Sequence, residues 1–155
     1  MENKTLLRKI KWKLWLLGKF KIPMIGFVSP RLIEINEQEL RLAIPLKRRT
    51  KNHLNSMYFG SLMVGVDLAA GLHAVYFAQQ EKVTISLAFK SVKCQFLKRA
   101  EGEVVFVMQE GEKVKSMLQL SERTKERVNQ NLHIAMFCER ELVAEAEMEL
   151  SIKVK

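Results

Sequence analysis

The segment Asn52 to Ala78, NHLNSMYFGSLMVGVDLAAGLHAVYFA, limits what this chain can fold into more than any other. From Met57 to Ala78 every residue is apolar, aromatic or small, except Ser61, Asp67 and His73. A helix that is apolar on all sides either spans a bilayer or forms the buried centre of a globular domain. The run is just long enough to span. Against that reading stand a mid-span Asp, which costs about 2.5–3.5 kcal/mol to insert, and glycines at 60, 65 and 71. The reading adopted is a core helix in a soluble, cytoplasmic domain. Asp67, the only aspartate in the chain, then becomes the residue to explain. A carboxylate in apolar surroundings is costly to ionise without partners, and a raised pKa would suit it to proton transfer near neutrality.

The flanking sequence supplies what such a helix would bury itself against. Leu32–Ile35 and Leu40–Leu46 read as two strands joined by the turn Asn36–Glu39, with Pro45 marking a sheet edge or a strand end. A basic, polar loop containing Lys47, Arg48, Arg49 and Asn52 leads into the helix. After it, Val83 to Leu97 reads as one long strand. Val83, Ile85, Leu87 and Phe89 share one parity, and Val92, Cys94 and Phe96 take the other. That phase change near Lys90-Ser91 is the signature of a bulge. Glu103–Glu110 reads as a further strand. Residues 111–130 leave two options open, a short helix through Val114–Leu120 or part of a strand with an extended loop. Leu132–Cys138 alternates, and Leu142–Ile152 alternates most cleanly of all, with Glu145, Glu147 and Glu149 on the opposite parity. The expected fold is α+β, an antiparallel sheet around one central helix.

The first third of the chain differs in charge. Residues 1–51 hold 13 Lys and Arg against four Glu, and the remainder holds 13 of each sign, so the whole net charge of +9 lies upstream of residue 52. Within it, Leu6, Ile10, Leu14 and Leu17 recur at helical spacing among Lys9, Lys11 and Lys13. This is a basic amphipathic helix ending near Gly18, with Trp12 and Trp15 widening its apolar face. Pro23, Gly26 and Pro30 suggest an irregular connector beyond it. The expected organisation is a helix over 1–21 and a single domain over 22–155. The interleaved lysines leave no unbroken apolar core for a signal peptide. A basic region of this kind favours an anionic partner. Docking of the helix on its own domain or a dimer partner is the first expectation, and peripheral contact with a membrane or an acyl carrier the second. Nucleic acid is not expected, since no recognised module accompanies the charge. Cys94 and Cys138 have neither metal spacing nor a redox pairing and are read as buried free thiols.

The spacing Asn52-(x7)-Gly60-Ser61-Leu62-(x4)-Asp67-Leu68-Ala69-Ala70-Gly71 resembles the signature of hotdog-fold thioesterases of the phenylacetic-acid type. There the pattern is Asn, His-Gly-Gly, then an acidic residue on the central helix. Phe96-Leu97-Lys98-Arg99-Ala100-Glu101-Gly102 is similar to a strand-ending turn of the same family. The resemblance spans about residues 22–153 and extends to the uncharacterised branch labelled a domain of unknown function. It implies a hotdog fold and an acyl-thioester hydrolase acting on acyl-CoA or a related thioester, with no metal or redox cofactor. It further implies a homodimer or dimer of dimers in which two subunits share each site. Asp67 takes the place of the carboxylate that activates water or attacks the carbonyl. Gly60 takes that of the backbone N–H donor to the oxyanion, and Asn52 that of the residue holding the water or the carbonyl. Tyr58, Phe59 and Ser61 would adjoin the substrate, and Lys47, Arg48 and Arg49 would meet its phosphates. The chain departs from the pattern at Tyr58-Phe59, where the related enzymes carry His-Gly. A non-catalytic acyl-binding protein on the same scaffold, docked to membrane by residues 1–20, is the alternative. His73, six residues from Asp67, is read as a satisfied core histidine, and His53 as an exposed loop residue.

Overall fold

Six antiparallel strands form one sheet in the order β1-β2-β4-β5-β6-β3, in a computed structural model that describes residues 2–155. Met1 of the expected N-terminal helix lies outside the described residues. The strands are β1 (Arg31–Ile35), β2 (Leu40–Ile44), β3 (Ile85–Phe96), β4 (Val104–Met108), β5 (Val128–Cys138) and β6 (Glu141–Val154). The helices are α1 (Glu2–Leu16), α2 (Pro23–Phe27), α3 (Phe59–Gln80) and α4 (Gly111–Thr124). Alternation explains the strands: Leu132, Ile134 and Met136 of β5 are buried, as are Ala144, Ala146, Met148, Leu150 and Ile152 of β6. Pro45 lies just past the end of β2, which is interior in the sheet, so the strand-end reading of that proline holds.

The bulge in β3 does what the phase change requires. Phe89 pairs with Leu150 and Ser91 with Glu149, so Lys90 is the extra residue. Leu87 and Phe89 before it, and Val92 and Cys94 after it, consequently register with Ile152, Leu150, Met148 and Ala146, all on the apolar face of β6. One inserted residue keeps a twelve-residue strand facing the same way.

α3 packs against five of the six strands, β2 through β6. It is long and apolar enough to cross a membrane, and 72% of its most apolar window is buried inside the fold. Gly65 sets how closely it lies on the sheet. A Cβ there would sit 2.1 Å from Cζ of the fully buried Phe106 on β4. One stripe of α3 is not closed over. Gly60, Met63, Val64, Asp67, Gly71 and Val75 recur every three or four residues and are all partly exposed, between neighbours that are mostly buried. β3 is an edge strand beside this stripe: Leu87 and Phe89 approach Gly71.

The ambiguous stretch 111–130 is resolved by α4, an amphipathic helix that buries Val114, Met117 and Leu118 against α3, β5 and β6. The expected connector after residue 21 is instead ordered. α1 runs into a π-helical turn, Leu17–Lys21, and the chain reverses into α2, with Pro23 in its first turn. Gly18 and Gly26 touch backbone to backbone: a Cβ on Gly26 would lie 2.5 Å from the Gly18 carbonyl oxygen. The two glycines are what allow this reversal; from sequence Gly18 reads only as a helix end and Gly26 as part of an irregular connector. Ile10 and Leu14 bury α1 into the same core as the sheet. Trp12 and Trp15 do not widen that apolar face. They point away from it, 62% and 54% exposed.

Candidate functional site

Asp67 lies in the middle of the open stripe of α3. Burial raises its pKa above the ordinary carboxylate value, because the charged form loses solvation. Among the described residues its carboxylate has no hydrogen-bond or ion-pair partner. No backbone N–H group among the described residues satisfies it. Gly60 is seven residues earlier, about 10 Å along the axis and on the same face.

The start of α3 is built by the preceding loop. Met57 N–H donates to Ala100 O (2.8 Å) and Tyr58 N–H to Thr50 O (2.8 Å), which clips the loop to the turn after β3. Thr50, buried, accepts from Lys47 N–H and donates to Pro45 O. Ser61, buried on the helix, donates to Thr50 O at 3.3 Å, a structural tie between helix and loop. The Tyr58 carbonyl accepts from Ser61 and Leu62 N–H. The N–H groups of Phe59 and Gly60 have no acceptor among the described residues, as the first N–H groups of a helix do not within the helix itself. They carry the positive end of the helix dipole.

Asn52 organises the loop. Its Oδ1 accepts from Leu54 N–H (2.9 Å), Ser56 N–H (3.2 Å) and Ser56 Oγ (3.2 Å). This is Asx-turn chemistry, and only its amide nitrogen is left to meet a ligand. A cleft of about 350 Å³ opens here, walled by Asn52, Tyr58, Phe59, Leu62, Phe96 and Arg99 among others. Tyr58 and Phe59 are exposed and tilted against each other, centroids 4.9 Å apart. Asp67 does not line this cleft. The Tyr58 ring also lies against Gly60, its Cε1 2.5 Å from where a Cβ would stand.

Lys47 and Arg48 are exposed and make no ion pair among the described residues. Arg49 lies over the Phe27 ring at 5.4 Å. The sequence reading missed Leu62, Phe96 and Arg99 as cleft residues. The turn 96–102 that carried the family resemblance was the available signal for the last two.

His73 is a core histidine, as expected, but it is satisfied at one nitrogen only. It is fully buried, stacked on Phe77, and its Nε2–H donates to Asn36 O at 2.7 Å. Burial pushes its pKa down to about 4, so the ring is neutral and its buried Nδ1 has no partner. His53 is exposed in the loop. Cys138 is buried, Cys94 half-buried, and both are free. Among the described residues no three His, Cys, Asp or Glu side chains come together to hold a metal.

Residues 11–152 match the model of a family described as Domain of unknown function (DUF4442). No curated protein matches the sequence. Several solved structures share the fold. A protein described as a "putative thioesterase" from Shewanella oneidensis superimposes with a TM-score of 0.81 at 14% identity, over 94% of this chain and 99% of that one. A Pseudomonas aeruginosa protein of unknown function, described as a "probable thioesterase", gives 0.75 at 19% identity, over 93% and 95%. A thioesterase from Haemophilus influenzae gives 0.65 at 12% identity, over 93% and 90%. At these identities the likeness establishes the scaffold, the thioesterase-type hotdog that the sequence resemblance implied.

Proposed function

The chain belongs to the DUF4442 family, and on that premise we propose that it is an acyl-thioester hydrolase. Asp67 takes a proton from the attacking water, and the Gly60 N–H donates to the thioester oxygen. The observation that carries this reading is Asp67 itself: an unpartnered, half-buried carboxylate of raised pKa on the open stripe of the central helix. Water attacks the carbonyl carbon as Asp67 accepts its proton. The tetrahedral oxyanion is held at the helix N-terminus, and its collapse breaks the C–S bond. The proton passes to the departing thiolate, leaving a carboxylic acid and a free thiol.

The separation of the two groups supports a site shared between chains. About 10 Å along one helix is too far for Asp67 and Gly60 of the same chain to act on one carbonyl, since reacting groups must come within about 3–3.5 Å. A homodimer, or a dimer of dimers, would bring Asp67 of one chain to the Asn52–Gly60 loop of another. The unpaired edge of β3, with exposed Val92, Phe96 and Leu97, is a surface suited to such pairing. Lys47 and Arg48, free of ion pairs, suit the phosphates of a CoA thioester, with Arg99 on the cleft wall as a further cation.

The test is hydrolysis of a panel of short, long and aromatic acyl-CoAs, with Asp67→Asn beside the wild type. A loss of about 10²–10⁴-fold in kcat is expected on removing a general base. No turnover by the wild type on any substrate, or equal turnover by the variant, would sink the proposal.

A second reading, a non-catalytic acyl-thioester binder, is favoured by the Tyr58 ring, which stands where the related enzymes carry His and lies against Gly60. Tyr58→Ala separates the two. Faster turnover means that the ring gates a working site, and tight acyl-CoA binding without turnover in both proteins means that the site only binds.

A further inference from the structure

We propose that the α1–α2 hairpin docks the protein on an anionic lipid bilayer. The inference does not depend on whether the site hydrolyses thioesters. It begins with the outward face of α1. Arg8, Trp12 and Trp15 of α1, continued by Lys19 of the π-helical turn, recur at spacings of four, three and four residues, opposite the buried Ile10 and Leu14. The outer face of a helix docked on its own domain is ordinarily polar. Here it carries both tryptophans of the chain, each more than half exposed. Lys19 Nζ sits 4.9 Å from the Trp15 ring and 5.7 Å from the Phe20 ring, and Trp15 and Phe20 meet edge to face. The π-helical turn and α2 extend the apolar surface with Phe20 and Met24, 66% and 61% exposed, and with Ile22 and Phe27.

Charge selects the occupant. Between residues 3 and 33 there are eight Lys and Arg and no acidic residue. A second copy of the chain would bring the same positive charge to the same face and be repelled. Nucleic acid would satisfy the charge and could stack on the tryptophans, but Ile22 and Met24 offer bases no stacking partner. An anionic bilayer satisfies both halves: headgroups for the lysines, and an interfacial layer for Trp, Phe, Ile and Met. The hairpin also presents these groups without an ordering cost, since Gly18 and Gly26 lock its two arms in contact. Beside it, Leu14, Leu16, Leu17 and Phe20 face Leu72 and Val75 of α3 across an apolar groove of about 430 Å³. The docking surface therefore adjoins the open stripe that carries Asp67.

The experiment uses the full chain and sucrose-loaded vesicles, either pure phosphatidylcholine or phosphatidylcholine and phosphatidylglycerol at about 70:30. Wild type should pellet with the anionic vesicles, less so at high salt, and its tryptophan emission should shift to shorter wavelength. Both fluorophores report on this face alone. Two variants, W12A/W15A/F20A and K11E/K19E, should each weaken partitioning by about tenfold or more, with circular dichroism unchanged because these side chains are exposed. Wild type remaining in the supernatant, or both variants pelleting equally with it, overturns the proposal. So does self-association or binding of a single-stranded oligonucleotide through the same residues in the absence of vesicle binding.

Discussion

His73 offers a test of the core that can be made before any substrate is known. Its ring is fully buried, with one nitrogen donating to Asn36 O and the other without a partner. In the unfolded chain it takes up a proton below the ordinary value of 6.5, whereas the folded chain resists protonation until about 4. The folded pKa is depressed, so the contribution to stability is fully present above 6.5. It is lost as pH falls from 6.5 towards 4, where it levels off. Two and a half pH units at about 1.4 kcal/mol each amount to about 3 kcal/mol, a substantial part of the roughly 5–15 kcal/mol that holds a domain folded. The assay is urea unfolding at half-unit steps from pH 7.5 to 4, on the wild type and on His73→Gln. Removing the ring lowers stability at every pH, so the offset between the proteins decides nothing. The slope does. The wild type should lose up to about 1.4 kcal/mol per pH unit in the middle of this window beyond whatever its carboxylates and exposed histidines contribute, and those remain in the variant. Equal slopes would mean that His73 is not kept neutral by burial, and the account of its environment would fail.

Three further outcomes are expected. Gly65→Ala should destabilise by about 1–3 kcal/mol despite the better helix propensity of alanine, because the new Cβ would overlap the Phe106 ring. Phe106→Leu in the same chain should recover part of that loss, and additive effects of the two changes in a double-mutant cycle would rule the contact out. Replacing Lys47 and Arg48 by Ala should raise KM for acyl-CoAs by about tenfold and leave that for short thioesters lacking the nucleotide unchanged; equal effects on both would remove these residues from phosphate recognition. Val92→Lys on the open edge of β3 should shift the protein towards monomer in sedimentation velocity and abolish turnover together with assembly, whereas an active monomer would refute the shared site.

What could be read in advance follows from how local each signal was. The apolar run announced α3 because, even along its open stripe, the helix carries almost no polar residue to obscure its extent. The bulge at Lys90 was visible because an inserted residue must invert the alternation on one side of it. α2 was hidden by the residues that make it possible. Pro23 and Gly26 suggest a break, and only the approach of Gly18 turns them into a hairpin. The outward tryptophans were misassigned for a related reason: a helical wheel groups apolar residues but does not say which group the core will take. The site divided in the same way. The spacing from Gly60 to Asp67 lies on one helix and is legible, and the family resemblance attached chemistry to it. The cleft depends on Met57 reaching Ala100, 43 positions away, which no local pattern encodes.

The meeting of Gly18 and Gly26 has a bearing on how this chain can change over time. Because main chain rests on main chain there, the contact that closes the hairpin uses none of its outward side chains. Arg8, Trp12, Trp15, Phe20 and Met24 can be exchanged without disturbing the core. On the docking proposal, the surface would act as an interchangeable address on a constant body: rewriting its side chains would change the destination while the pair of glycines stays fixed.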